Sequence, residues 1–205
     1  MNTQQPITRR GRKVDQVLAG AREVFLRDGF EGASVDELAK VSGVSKATLY
    51  SYFTDKRRLF QEVIQAECDR MSKEIESRID PDTPMEEALR AAAKGMTRFM
   101  VSRFAQRVFR ICVAERDRFP ELSQSYFESG PKNGHLQLVG HLREAVNCGA
   151  LKIDDPEMAS YQFTELCKAN VFTKAAFGIQ SEFSEAEIDK VANEAVTTFL
   201  ARYQA

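Results

Sequence analysis

The sequence predicts an all-α protein, and three observations predict it. Apolar residues recur at three- and four-residue spacing along nearly the whole chain, cap residues stand where these stripes begin, and no segment alternates apolar and polar residues over the length of a strand. A chain of 205 residues can hold one substantial core or a small domain joined to a larger one. The expected division is a three-helix domain over 1–55, a connecting helix over 56–79 and a larger helical domain over 80–205.

Residues 1–8, MNTQQPIT, carry no apolar period and are expected to form a disordered tail leading into RRGRK. Val14, Val17, Leu18, Ala21, Val24 and Phe25 then make the stripe of a first helix, which Gly29 stops. Ser34 and Glu37 read as a capping box for a short second helix with Val35, Leu38, Ala39 and Val41 on its apolar side. Gly43 breaks it, Ser45 caps a third helix, and Thr54 or Asp55 caps a fourth that runs to Ile79. The stripe of the fourth, Phe60, Val63, Ile64, Cys68, Met71, Ile75 and Ile79, is continuous, so one face is expected to be buried end to end.

Two prolines in Asp80–Pro84 punctuate the chain, and the domain boundary is expected there or inside the fourth helix. Further helices are expected near 84–100, 103–117 and 120–149, the last with an interruption around Gly130–Pro131. Asp155–Pro156 opens a helix to about Phe177, and Ser184–Glu187 is a second capping box, opening the final one. Ile188, Val191, Ala192, Ala195, Val196, Phe199, Leu200 and Tyr203 stripe that final helix, while 158–177 is apolar on several faces. A helix apolar on several faces needs neighbours on several sides. Those neighbours belong either to a second copy of the chain, met through Phe163, Val171, Phe172, Val191, Ala195 and Phe199, or to the chain's own core.

Composition excludes several classes of function. No apolar run approaches membrane-spanning length and the N-terminus has no apolar signal region, so a soluble, cytoplasmic chain is expected. Cys68, Cys112, Cys148 and Cys167 are far apart and read as buried thiols in a reducing compartment. His135 and His141 lie six apart, out of line on a helix, and no nucleophile context or phosphate-binding glycine loop occurs. Neither an enzyme nor a metal or cofactor site is expected. The charge is uneven: residues 1–60 hold 11 Lys/Arg against 7 Asp/Glu, and the rest hold 18 against 23. The front of the chain is the part suited to a polyanion.

That basic front contains the one functional pattern. Two short helices joined by a Gly-containing turn form the outline of a helix-turn-helix, although any short amphipathic pair can imitate it. Val44, Leu49 and Phe53 are expected to clamp the third helix down, leaving Ser45, Lys46, Ala47, Thr48, Tyr50, Ser51 and Tyr52 outward. Such a surface offers hydroxyls and an ammonium for base edges and small groups for close approach in a major groove. Lys56, Arg57 and Arg58, with the helix start at Ser34, would take phosphates. Arg9, Arg10, Arg12 and Lys13 read either as a flexible arm lying on DNA or as an ordinary solvated tail.

The stretch FLRDGFEGASVDELAKVSGVSKATLYSYFTDKRRLFQEV closely resembles the DNA-binding region of the TetR family of transcriptional regulators. It has the Gly-Phe after the first helix, the Ser-Val opening the second, LAKVSGVSKATLYSYF, and the Lys-x-x-Leu-Phe opening the fourth. The resemblance implies a homodimer that reads a palindromic operator in double-stranded DNA through its third helix. It implies base or phosphate contacts at Lys46, Ala47, Thr48, Tyr50, Ser51, Tyr52 and Lys56, with Ser34 at a phosphate. RFPELSQSYFESGP and LREAVNCGALKIDDPEMASYQF look like the C-terminal domain of one common branch of that family, where a small molecule binds and the last two helices dimerise.

A pocket between such helices is expected to be largely apolar, lined from Phe99, Arg103, Phe109, Cys112, Phe163 and Cys167, with Arg98, Arg107 and Arg110 as further candidates for a decisive charge. The expected function is a repressor released from its operator by a small, largely apolar ligand. The alternative is an architectural DNA-binding protein with no effector.

Overall fold

The computed structural model describes residues 9–80 and 82–205, the side chains of Arg9 and Arg10 excepted; the expected tail over 1–8 lies outside the described residues. Eleven α-helices occupy the described chain: α1 Arg9–Gly32, α2 Val35–Val41, α3 Lys46–Tyr52, α4 Lys56–Glu76, α5 Met85–Val101, α6 Arg103–Glu115, α7 Pro120–Phe127, α8 Asn133–Asn147, α9 Pro156–Leu166, α10 Phe172–Ala176 and α11 Glu185–Tyr203. Extended pairing among the described residues is limited to an isolated antiparallel bridge between Leu151 and Gln204.

The helix starts follow the local chemistry of the sequence. Ser34, Ser45, Asp55 and Ser184 each accept a backbone N–H two or three residues into the helix they open. At Ser184 the box is complete, because the Glu187 carboxylate also accepts the Ser184 N–H at 2.8 Å. Gly29 and Gly43 take positive φ, 76° and 64°: Gly43 just past the end of α2, and Gly29 inside α1, where it kinks the helix rather than stopping it as expected. Around Gly43 the N–H groups of Gly43 and Val44 turn back to the carbonyls of Lys40 and Ala39, closing α2 in a Schellman motif.

Two further expectations need correction. The basic stretch Arg9–Lys13 is the first turn of α1, helical rather than a flexible arm, because nothing in RRGRK breaks the period that begins at Val14. The helix expected from Asp155 to Phe177 is two helices, with Asn170 at φ 64° between them. The buried Thr97 hydroxyl donates to the Cys167 carbonyl at 3.0 Å, meeting an acceptor that a continued helix would have used internally. The interruption expected around Gly130–Pro131 is present: one π turn, Glu128–Lys132, separates α7 from α8, as the missing proline N–H favours.

The chain groups into two compact units, and the division differs from the expected one. The first unit joins the described part of Met1–Glu67 to Ile111–Tyr126; the second joins Cys68–Arg110 to Phe127–Ala205. Helix α4 therefore begins in the first unit and ends in the second, and α6 does the reverse. Residues 111–126 join the first unit through contacts of high sequence separation. Phe119 packs edge-on to Phe30 at 5.4 Å, Arg118 pairs with Glu31 at 2.7 Å, and Arg57 pairs with Glu121 at 3.0 Å. Within the first unit Val17, Ala21, Val24, Phe25, Leu38 and Leu49 are buried, with Phe25 and Phe60 in an edge-on ring pair at 5.0 Å.

In the second unit α5, α8, α9 and α11 share one core that includes Leu89, Ala93, Leu142, Phe163, Val196 and Phe199. A smaller cluster of Val101, Val171, Ala175 and Ile188 lies where α5 meets α10 and α11.

Candidate functional site

The short third helix is held by very little. Leu49 and Phe53 are 1% and 5% exposed and provide its anchor, with Val44 partly buried beside them. Behind it, Gly20 of α1 makes close approach possible. A Cβ on Gly20 would lie 2.5 Å from Ser42 Oγ and 2.7 Å from Ser42 Cα, closer than real Cβ contacts occur. Ser42 is itself buried, donates from Oγ to the Val17 carbonyl at 3.3 Å and accepts Gln16 Nε2 on its carbonyl at 2.8 Å. The turn is thus pinned to α1 by polar groups that are all satisfied.

The outward side carries the expected residues. Ser45, Lys46, Ala47, Tyr50 and Ser51 are exposed, and Thr48 and Tyr52 are partly exposed. Their polar atoms are already locally organised. Ser45 Oγ accepts the Thr48 N–H at 3.1 Å and shares a hydrogen bond with Thr48 Oγ1 at 2.9 Å, and Ser51 Oγ donates to the Thr48 carbonyl at 2.7 Å. Lys46 pairs with Asp36, a partner that no local pattern of the residues places beside it. Both ends of that pair are exposed, so a phosphate can take Lys46 over at little cost.

Flanking groups present donors on the same unit. Ser34 is exposed at the start of α2, where its Oγ accepts the Glu37 N–H at 3.1 Å, while Glu37 itself pairs with Arg27. Lys56 opens α4 with its Nζ 3.3 Å from the Glu31 carbonyl and 4.7 Å above the Phe30 ring. The Arg58 N–H, then the nearby Arg57 guanidinium, hold the Asp55 carboxyl below the usual carboxylate range. Arg12 is exposed on the first turns of α1; the side chains of Arg9 and Arg10 lie outside the described residues.

The residues expected at the effector pocket fall in both units. Cys112 lies in the first unit, its thiol directed to the Leu122 carbonyl at 3.7 Å. Phe163 is fully buried against Phe199 at 5.1 Å, and Cys167 is fully buried with its carbonyl on Thr97. Phe109 packs edge-on to Phe172 at 5.4 Å, Phe99 is partly buried, and Arg103 is exposed. Arg98 is engaged with Glu185 at 3.1 Å and Arg110 with the Ala175 carbonyl at 3.1 Å. Burial pushes the Cys112 and Cys167 thiols up to about 12, which keeps them protonated and unreactive. The expectation of four buried thiols fails at Cys148, which is exposed past the end of α8.

The expected dimer contacts also need correction. Phe163, Val171, Ala195 and Phe199 are no more than 3% exposed within a single chain, so their apolarity is accounted for by the chain's own core. Phe172 and Val191 are partly buried. The outward apolar residues of this region are instead Met158 and Tyr161 on α9 and Phe177 and Ile179 after α10, all at least half exposed. Tyr161 stacks on His135 at 4.0 Å, with His135 Nδ1 and Ser160 Oγ sharing a hydrogen bond at 3.1 Å. Among the described residues no cluster of His, Cys, Asp and Glu could hold a metal, and no helix is long and apolar enough to cross a membrane.

Comparison with known proteins agrees with this geometry. Residues 17–63 match the model of the bacterial regulatory proteins of the tetR family, and residues 87–205 match the C-terminal domain of AefR-like transcriptional repressors. A TetR-family transcriptional regulator from Mesorhizobium loti MAFF303099 is similar over 97% of this chain and 100% of its own, at 27% identity and a TM-score of 0.87. The flavonoid-responsive regulator FrrA is 34% identical, with 95% of this chain and 98% of its own covered and a TM-score of 0.72. The HTH-type transcriptional regulator YhgD of Bacillus subtilis (strain 168) is 22% identical over 156 residues, 76% of this chain and 81% of its own.

Proposed function

This chain belongs to the TetR family of DNA-binding transcriptional regulators, and from that premise we propose that it is a cytoplasmic homodimeric repressor released from a palindromic operator by a small molecule. The observation that carries the proposal is the division of labour on α3: Leu49 and Phe53 spend its apolar side on the first unit, and Lys46, Ala47, Tyr50 and Ser51 are exposed, Lys46 in a solvent-exposed pair with Asp36. Docked in a major groove, Lys46, Thr48 and Tyr50 face base edges, while Ser34, Lys56 and the tyrosine hydroxyls position the unit on phosphates.

Two such helices enter successive major grooves when they are about 34–36 Å apart, so the dimer sets the spacing of the half-sites. Met158, Tyr161, Phe177 and Ile179 are the apolar residues on which a second copy would close. For the effector, FrrA is described as flavonoid-responsive, which supports hydroxylated aromatic molecules as the first class to test. Such a ligand must favour the DNA-incompetent state by about 5.5 kcal/mol to move the population from nearly all bound-competent to nearly all released.

The test is a gel shift on the DNA flanking the protein's own gene, repeated across salt. Lys46→Ala and Tyr50→Phe are each expected to weaken the specific shift about tenfold, and affinity should fall steeply as salt rises. Binding by both variants equal to that of the natural protein would remove α3 as the recognition helix. A thermal shift with hydroxylated aromatics separates the effector-controlled repressor from an architectural protein that takes no ligand.

A further inference from the structure

Among the described residues of the second unit, two polar side-chain atoms are buried without a hydrogen-bond partner, Gln106 Oε1 and Arg107 Nε, and they belong to consecutive residues of α6. Gln106 is only 4% exposed, and its Nε2 donates to the Met100 carbonyl in the last turn of α5 at 2.6 Å. That bond fixes the orientation of the amide, because reversing it would set oxygen against oxygen. Oε1 is therefore the atom left unmet. Arg107 has no carboxylate partner among the described residues, whereas Arg98 is taken by Glu185 and Arg110 by the Ala175 carbonyl.

Folded chains satisfy nearly all buried polar groups, since an unmet one forfeits its hydration for nothing. Here an acceptor and a donor are orphaned on consecutive residues, within the stretch 87–205 that matches the C-terminal domain of AefR-like repressors. Phe109 follows Gln106 by three residues and shares its side of α6, where it meets Phe172 ring to ring at 5.4 Å. A buried acceptor, a buried guanidinium N–H and a neighbouring aromatic pair describe the complement of a definite kind of molecule.

Resting on the proposal of a small-molecule effector, we infer that Gln106 and Arg107 are its polar anchors. The effector lies along α6 and gives a hydroxyl hydrogen to Gln106 Oε1 and an oxygen, carbonyl or ionised, to Arg107 Nε. Consecutive helical residues point about 100° apart, so one ligand reaches both only if it is extended. The class selected is a hydroxylated, planar or elongated aromatic molecule carrying a carbonyl or acidic oxygen, and its unsubstituted parent is disfavoured because it would leave both atoms unmet. Gln106 also holds the Met100 carbonyl at the break between α5 and α6, so a ligand on Oε1 acts directly on that joint.

The experiment measures binding of flavan, which has neither hydroxyl nor carbonyl, and of quercetin, which has both, to the full chain by thermal shift and calorimetry, with ligand-free operator binding recorded on the same samples. Quercetin is expected to bind the natural protein about tenfold or more tightly than flavan. Gln106→Leu and Arg107→Met are each expected to reduce that ratio toward one. Arg107→Met leaves the bond to Met100 in place, so it decides the matter if Gln106→Leu folds poorly. Equal binding of the two probes by the natural protein, or an unchanged ratio in Arg107→Met, overturns the inference. Loss of ligand-free operator binding would instead strike the proposed function, and the two failures are read from separate signals.

Discussion

Helices α3 and α11 look alike at their starts and differ in everything that follows. Each opens on a serine whose Oγ accepts an N–H three residues on. Over its seven residues α3 buries Leu49 alone, whereas α11 buries Ile188, Ala192, Ala195, Val196, Phe199 and Tyr203 over nineteen. A helix as short as α3 is not stable by itself and survives only on tertiary anchors. Its polar residues exceed what capping and local pairing use, and under the proposed function that surplus is the face for DNA. The apolar stripe of α11 carries the opposite lesson, because an apolar face that invites a partner had already been used by the chain's own α5 and α9.

The sharpest way to break this comparison is to remove an anchor from α11. Phe199→Ala leaves a cavity against Phe163 and Tyr203 and is expected to destabilise the second unit by about 3–5 kcal/mol in a denaturant titration. Dimerisation should fall only as far as folding does. A fully folded variant that is monomeric would restore Phe199 to the interface.

Gly20→Ala tests the other side. The new methyl meets the Ser42 backbone at 2.7 Å, so the cost is expected to be about 1–3 kcal/mol, with operator affinity lost before helicity. Chemical denaturation and a gel shift at one temperature check the order of the two losses.

Matched cap deletions give a smaller, cleaner contrast. Ser45→Ala and Ser184→Ala should each cost about 1 kcal/mol. Only the first is expected to weaken operator binding in the cold, because only α3 has its partner outside the chain. Equal effects on binding would mean that the cap of α11 also bears on DNA.

The smallest effect concerns Glu187. The Gln180 amide, followed by the Ser184 N–H and hydroxyl, holds its carboxyl at about 2, well below the usual 4.5. A depressed carboxyl stabilises the fold fully above its unfolded value and loses that contribution as pH falls through its folded one. Thermal melts of Glu187→Gln should therefore lie below those of the natural protein above pH 4.5 and converge with them as pH falls toward 2.

The structure also shows which features were legible in the residues. The outward set on α3 could be read because Leu49 and Phe53 are the only large apolar side chains able to seat so short a helix, which leaves the rest outside. Gln106 could not. It stands off the stripe of Phe104, Val108, Ile111 and Cys112, where an amide ordinarily faces water, and only the chain packed over it buries it.

The sequence by itself determined where helices begin and where the chain turns: Ser34, Ser45 and Ser184 as caps, Thr54 or Asp55 as a fourth, Gly43 as a stop, Gly130–Pro131 as a weak point. It also determined which face of α3 is left for another molecule. These depend on residues within a turn or two of one another, and capping, φ preference and period are local physics. Only the tertiary structure decided that 111–126 joins the first unit, that the helix begun at Pro156 stops where Thr97 takes the Cys167 carbonyl, and which apolar stripes are spent within the chain. Those outcomes join residues such as Glu31 and Arg118, 87 positions apart, and periodicity shows that a face must be buried without saying what will bury it.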